Sequence, residues 1–169
     1  MAAIEEIAES LIRENIIRAV GDVFKTMLGQ SVLFRSADSA SAPQPGSALQ
    51  HVVGTVGFIG DINGLIYLYI DEDFAGKCTR EMLGMTDQEF AENGSESVND
   101  AIGEITNMVV GSFKNGLCDA GYPCKLTIPS ILRGRNFSVE QVSSTQRHVY
   151  SFETQGRQIT ADILLKSED

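Results

Sequence analysis

The sequence predicts an α+β domain: two long helices packed on a largely antiparallel sheet of about six strands. Three observations predict it. Segments 3–28 and 97–118 repeat apolar residues at helical spacing, the segments around them read as short strands, and the order runs helix, strands, helices, strands. Runs of like elements, rather than strict strand–helix alternation, place helices on one face of an antiparallel sheet. The chain has 169 residues, 43% hydrophobic and 21% charged, enough for one packed core. A single domain over 1–169 is expected.

In chain order, residues 3–28 carry Ile4, Ile7, Leu11, Ile12, Ile16, Val20, Val23, Phe24 and Met27 at amphipathic spacing, and Gly29 is the stop signal. "SVLFR" is a short strand. Residues 36–48, small, polar and proline-containing, predict a flexible loop. "HVVGTVGFIG" and "GLIYLYID" then form a hairpin, with Asn63-Gly64 offering the positive backbone angles of a tight turn. Asp71, Glu72 and Asp73 lack calcium-loop spacing and instead open a helix over 74–84, complementing its dipole, with Gly84 ending it. "TDQEFAE" is a short helix, and the long helix follows from about Ser97 to Cys118. "CKLTIPSIL", "NFSVEQV", "HVYSFET" and "QITADILLK" read as strands, the last two joined by a Gln155-Gly156-Arg157 turn.

A faint repeat runs through this order. "VFKTML" at 23–28 lies on "SFKNGL" at 112–117, an offset of 89. Each copy ends a long helix that feeds a set of strands, which predicts two related halves, roughly 1–72 and 73–169, sharing one sheet by a pseudo-two-fold.

The net charge of −10 argues against nucleic-acid and anionic-membrane partners, both of which need basic patches. Cys78, Cys118 and Cys124 form no CxxC pair and read as buried reduced thiols. His51 and His148 are the only histidines, so neither a zinc site nor a cysteine–histidine nucleophile pair is indicated. The N-terminus carries acids where a signal peptide carries bases, and no run approaches ~20 apolar residues. A cytoplasmic protein is expected.

The long helix raises the functional question. On a wheel at about 100° per residue, Ile102, Ile105, Val109, Phe113 and Gly116 fall within roughly 80° and form the core stripe. Asp100, Glu104, Asn107, Gly111 and Lys114 cluster opposite. Glu104 and Asn107, one turn apart, thus share an outward face. Each interior glycine costs up to ~1 kcal/mol relative to alanine, so Gly103 and Gly111 beside this pair suggest a surface that another molecule approaches.

"GEITNMVVGSFKNGL", with "VFKTMLG" in the first helix and the hairpin "VGFIGDINGLIYLYI", resembles the CheC/CheX/FliY family of chemotaxis phosphatases, and CheX-type members most. The likeness spans most of the chain. It implies that Glu104 and Asn107 are the residues acting on a phosphorylated CheY-type response regulator; Asp100, Gly111 and Lys114, on the same outward face of the helix, are the expected partner contacts. It further implies a homodimer, since CheX-type members are dimeric, and Mg²⁺ held by the response regulator, with no cofactor on this chain. Subtracting 89 from the motif positions lands on Asn15 and Arg18, which do not repeat the pair, so one site per chain is expected.

The chemistry suits the residue types. An aspartyl phosphate is already activated, and what remains is to place a water in line with the phosphorus. A neutral amide such as Asn107 can hold that water without adding negative charge against the phosphoryl group. The resemblance pairs Glu104 with the regulator's active-site lysine. The alternative is a non-catalytic assembly or binding module of the flagellar-switch or CheC-like fold.

Overall fold

The computed structural model describes residues 7–38, 49–142 and 144–167. Helix α1 spans Glu9–Leu28 and ends at Gly29, whose left-handed φ of 64° turns its N–H back onto the Lys25 carbonyl. Glycine, which has no Cβ, takes this left-handed conformation without steric strain. The expected helix start at residue 3 lies outside the described residues, and Ile7 and Ala8 precede the helix. Strand β1 is Leu33–Ser36. Of the expected loop, residues 39–48 lie outside the described residues.

Strands β2 (His51–Gly60) and β3 (Ile62–Asp71) form the expected hairpin, in register from His51↔Asp71 to Phe58↔Gly64. Its turn differs from the expected one. Asn63 and Gly64 lie inside β3, and neither has a positive φ. The Asn63 side chain instead accepts a hydrogen bond from the Gly60 N–H at 3.1 Å. Gly64 is small for another reason: a Cβ there would stand 2.1 Å from Cζ of Phe58. Phe58 can therefore lie across its cross-strand partner.

Helix α2 (Glu72–Leu83) is capped by the Asp71 carboxylate, which accepts from the Phe74 N–H at 2.8 Å, and it stops at Gly84, φ 60°. The short and long helices expected next are continuous as α3 (Asp87–Asp119), broken only at Asn93, where φ is −130°. "CKLTIPSIL" divides into β4 (Cys124–Leu126) and β5 (Ser130–Gly134). Pro129 has no N–H for a sheet ladder, and Thr127 takes over locally. Its N–H donates to the Gly57 carbonyl at 2.8 Å, while its hydroxyl accepts from the Gly57 N–H at 2.9 Å. "NFSVEQV" is not a strand: the Phe137 ring packs edge-on against Tyr69 instead, centroids 6.1 Å apart. Strands β6 (Gln146–Thr154) and β7 (Arg157–Ser167) are joined through Gln155 (φ 52°) and Gly156 (φ 74°), the two positive angles of a tight hairpin.

The described residues therefore form one antiparallel sheet of seven strands, not six, in the order β1-β6-β7-β3-β2-β4, with β5 also on β2. This order is symmetric about the β7–β3 pair. On each side the short strand that follows one long helix joins the hairpin that follows the other, the pseudo-two-fold that the faint repeat predicted.

Both long helices lie on one face of the sheet. Ile131, Gly54, Leu68, Ala161 and Tyr150 sit side by side in one cross-sheet row. At the Gly54 end, α3 sets Thr106 directly on the strand. At the other end, the Tyr150 hydroxyl donates to Glu9 of α1 at 3.0 Å. Between them Ile66, Leu68, Ile70, Ile159 and Ile163 are fully buried. Helix meets helix where Gly116 accommodates Asn15 and where Arg18 donates to the Ser112 carbonyl at 3.0 Å. On the opposite face, Arg147 grips the fully buried Asp162 with both prongs, at 3.0 and 2.7 Å.

The two histidines make stability depend on pH. Burial is the main influence on both and holds each below the ordinary imidazole range; the Leu49 backbone and Asp71 partly oppose this for His51, and Glu9 for His148. A folded-state pKa below the unfolded value of about 6.5 means that the unfolded chain binds protons first as pH falls. This contribution to stability is whole above pH ~6.5 and is lost as pH drops through the lowered folded values. Thermal melts should therefore show the melting temperature falling between pH 7.5 and 5. The slope should lessen in the His51→Asn variant, and an unchanged slope there would contradict the assignment.

Candidate functional site

The site begins with how closely α3 approaches the sheet. The Thr106 hydroxyl donates to the Ile102 carbonyl at 2.6 Å, folding its side chain against its own helix. Gly54 leaves room for it: a Cβ at that position would lie 1.8 Å from Thr106 Oγ1. Seated there and on Phe58, which meets Phe113 with centroids 6.0 Å apart, α3 has a fixed rotation about its axis. The buried arc includes the expected Ile102, Ile105, Val109 and Phe113 and widens to Ala101, Thr106, Val110 and Leu117. Asp100 and Glu104 are exposed, and Asn107 is half-buried rather than fully open.

Asn107 is half-buried because the outward face of α3 is one wall of a groove of about 540 Å³. Asn99, Asp100, Gly103, Glu104 and Asn107 line it from the helix, and Pro129, Ser130 and Ile131 from the start of β5. One clamp joins the two walls, and a second contact holds the strand wall to its neighbour β2. Arg133 of β5 donates to the Ser95 carbonyl at 3.1 Å and to Asn99 Oδ1 at 2.6 Å. The Ser130 and Thr55 hydroxyls lie 3.3 Å apart across the strands.

The expected partner contacts separate here. Asp100 lines the groove, while Gly111 and Lys114 do not. The missing side chain of Gly111 faces Leu126 Cδ1 at 3.6 Å, and Lys114 donates to Asn115 at 3.3 Å. Gly103 is the glycine that opens the surface, since nothing lies within 4 Å of where its Cβ would be. Sequence reasoning missed Asn99, Arg133 and the Pro129-Ser130-Ile131 wall. Pro129 was the one local signal for that wall, because it interrupts an otherwise continuous strand.

No hydrogen bond or ion pair among the described residues engages the side chains of Glu104 and Asn107. Asp100 and Glu104 give the groove two formal negative charges, and no lysine or arginine lines it. It suits a basic side chain beside a group that Asn107 can address as a neutral donor and acceptor. The positions offset by 89 in α1 are otherwise engaged: Asn15 is buried and accepts from Arg18 at 2.7 Å within α1, and Arg18 also donates to the Ser112 carbonyl of α3.

Other chemistries have less support. Burial pushes the Cys78 thiol up to about 12 and Cys124 up to about 11, far from a reactive thiolate at neutral pH. Among the described residues, no three His, Cys, Asp or Glu side chains gather as a metal-holding group, and no helix is long and apolar enough to cross a membrane. A larger groove of about 1160 Å³ lies between α2 and the start of α3, but Glu104 and Asn107 do not line it. Its Arg80 is already paired with Asp87 at 2.6 Å and stacked on Phe90.

Residues 52–153 match the family model described as "Chemotaxis phosphatase CheX". No curated protein matches the chain. Among solved structures, a CheC-like superfamily protein from Shewanella sp. PV-4 is similar at TM-score 0.77 and 23% identity, covering 95% of this chain and 100% of its own. A chemotaxis protein CheX from Desulfovibrio desulfuricans gives 0.76 and 23%, covering 92% and 99%. The CheX of a CheX–CheY–BeF₃–Mg²⁺ complex from Borrelia burgdorferi gives 0.76 and 21%, covering 92% and 98%. At these identities the likeness to solved structures establishes the fold.

Proposed function

This chain belongs to the CheX family of chemotaxis phosphatases, and on that premise we propose that it accelerates hydrolysis of the aspartyl phosphate of a CheY-type response regulator. The observation that carries the reading is the unengaged Glu104–Asn107 pair, one turn apart on the groove side of α3. Asn107 accepts a hydrogen bond from a water and holds it in line with the phosphorus–oxygen bond. The water oxygen bonds to phosphorus, the bond to the aspartate oxygen breaks, and inorganic phosphate and the free carboxylate leave. Glu104 pairs with the regulator's lysine and sets how deeply α3 enters. The Mg²⁺ that neutralises the phosphoryl oxygens is supplied by the regulator. That the Borrelia relative was solved with CheY, BeF₃ and Mg²⁺ supports this choice of partner and of metal source.

Catalytic amounts of the chain, incubated with each phosphorylated response regulator of its host, test the reading through phosphate loss. At least one regulator should decay faster; if none does, the assembly-module reading takes its place. Glu104→Ala should raise KM with a smaller change in kcat, because its pairing aligns the complex before chemistry.

The active unit is proposed to be a cytoplasmic homodimer of single domains over 1–169. Among the described residues β1 pairs only with β6, which leaves its outer edge available for pairing with a second copy. Light scattering at micromolar concentration should give twice the 18.3 kDa chain mass. A monomer there would contradict the dimer.

A further inference from the structure

Ile128 is 87% exposed, the highest value among the exposed large hydrophobic residues described. It stands in the three-residue link between β4 and β5, beside Pro129, Ser130 and Ile131, which form the strand-side wall of the groove. A side chain this open commonly wanders, but its backbone is fixed on both sides. Thr127 is bonded to Gly57 through its N–H and its hydroxyl, Pro129 has a locked φ, and Ser130 is in register with Thr55. Ile131, three residues on, packs against the main core.

The result is an exposed apolar side chain on a backbone held from both sides, directly preceding the strand-side wall that faces Asp100 and Glu104 across the groove. We infer that Ile128, with Pro129, is a docking anchor and specificity determinant for the same phosphorylated regulator, taking an apolar side chain while Asp100 and Glu104 take a basic one. This rests on the proposed function. Two features favour that occupant over a second copy of this chain. The groove is acidic on a chain of net charge −10, so a copy would bring like charge, whereas a regulator offering a base is complementary. Ile128 also directly precedes Pro129, which lines the same groove as Asn107. A preformed apolar contact at such a rim recovers binding free energy with little ordering of the chain.

Ile128→Asp, Ile128→Leu and the distant, exposed control Leu83→Asp should be compared in steady-state dephosphorylation, with binding of the beryllofluoride-loaded regulator measured alongside. Ile128→Asp is expected to raise KM and the dissociation constant by about 10-fold or more, the scale of one buried apolar contact replaced by charge. Its kcat should stay within about two-fold, because the residue does not reach the reacting atoms. Ile128→Leu should stay near the parental values, and Leu83→Asp should leave both constants unchanged. Thermal melts should be unaffected, since Ile128 contributes almost no burial. A parental KM in Ile128→Asp, with the unaltered chain active, overturns the anchor and leaves the phosphatase reading standing. Absence of accelerated phosphate loss by the unaltered chain on every regulator overturns both.

Discussion

Replacing Asn107 by alanine is expected to lower the rate of phosphate release by on the order of 10²-fold or more while leaving the fold intact, the scale seen when one aimed polar group is removed from a preorganised site. Asn107 projects from α3 away from the buried arc, and no described side chain hydrogen-bonds to it, so its removal leaves no orphaned partner. The proposed role of Asn107 is confined to the complex. The residue stands one turn from Glu104, to which the proposed function assigns the approach of the regulator, and Thr106 behind it is locked against both the helix backbone and the sheet. The loss should appear in kcat, not in binding, because the water is held only when the phosphoryl group is present. Lys114→Ala, on the same helix but outside the groove, should retain the parental rate. An Asn107→Ala protein that melts normally and still works at the parental rate would mean that this face of α3 is only a solvated surface.

The second large effect is structural. Gly54→Val should destabilise the protein by about 3 kcal/mol or more, because overfilling a packed contact forces the backbone to move. The new Cβ would stand 1.8 Å from Thr106 Oγ1 and 2.7 Å from Thr106 Cβ. Neither side can yield easily. Gly54 is paired to Leu68 on one side and to Ile131 on the other, and Thr106 is hydrogen-bonded back to Ile102. The helix must lift from the sheet, taking Asn107 and the groove wall with it. At about 2–4 °C per kcal/mol for a chain of this size, the melting temperature should fall by about 10 °C. Gly21→Ala is the matched control. Gly21 lies in α1 with nothing within 4 Å of a Cβ, and alanine there should be neutral or stabilising by up to ~1 kcal/mol. A Gly54→Val protein melting within about 2 °C of the parent would contradict the close seating of α3.

What the sequence disclosed, and what it did not, follows from the range of the interactions. The stop of α1 at Gly29, the cap of α2 at Asp71 and the β6–β7 turn at Gln155-Gly156 each depend on a few neighbouring residues, and each was legible. Asn63-Gly64 misled because the same dipeptide that makes a tight turn here serves other needs: Asn63 bonds Gly60, and Gly64 clears the Phe58 ring. "NFSVEQV" has strand-forming residues but forms no strand, and its Phe137 packs onto Tyr69. The site was half legible. Helical spacing alone put Asp100, Glu104 and Asn107 on one outward face. The opposing wall comes from residues 129–131, brought there because β5 pairs with β2, and no local pattern encodes that pairing. The same wall explains why Asn107 is half-buried and not bare.

The most direct measurement is a structure of this chain bound to its beryllofluoride-loaded response regulator. The groove between α3 and Pro129-Ser130-Ile131 is expected to be filled by the regulator's phosphorylation site, with the Asn107 amide one water away from the beryllofluoride and Glu104 paired to a lysine of the regulator. A complex in which the regulator sits elsewhere, on the far face of the sheet or in the α2–α3 groove, with Glu104 and Asn107 left in solvent, would contradict it.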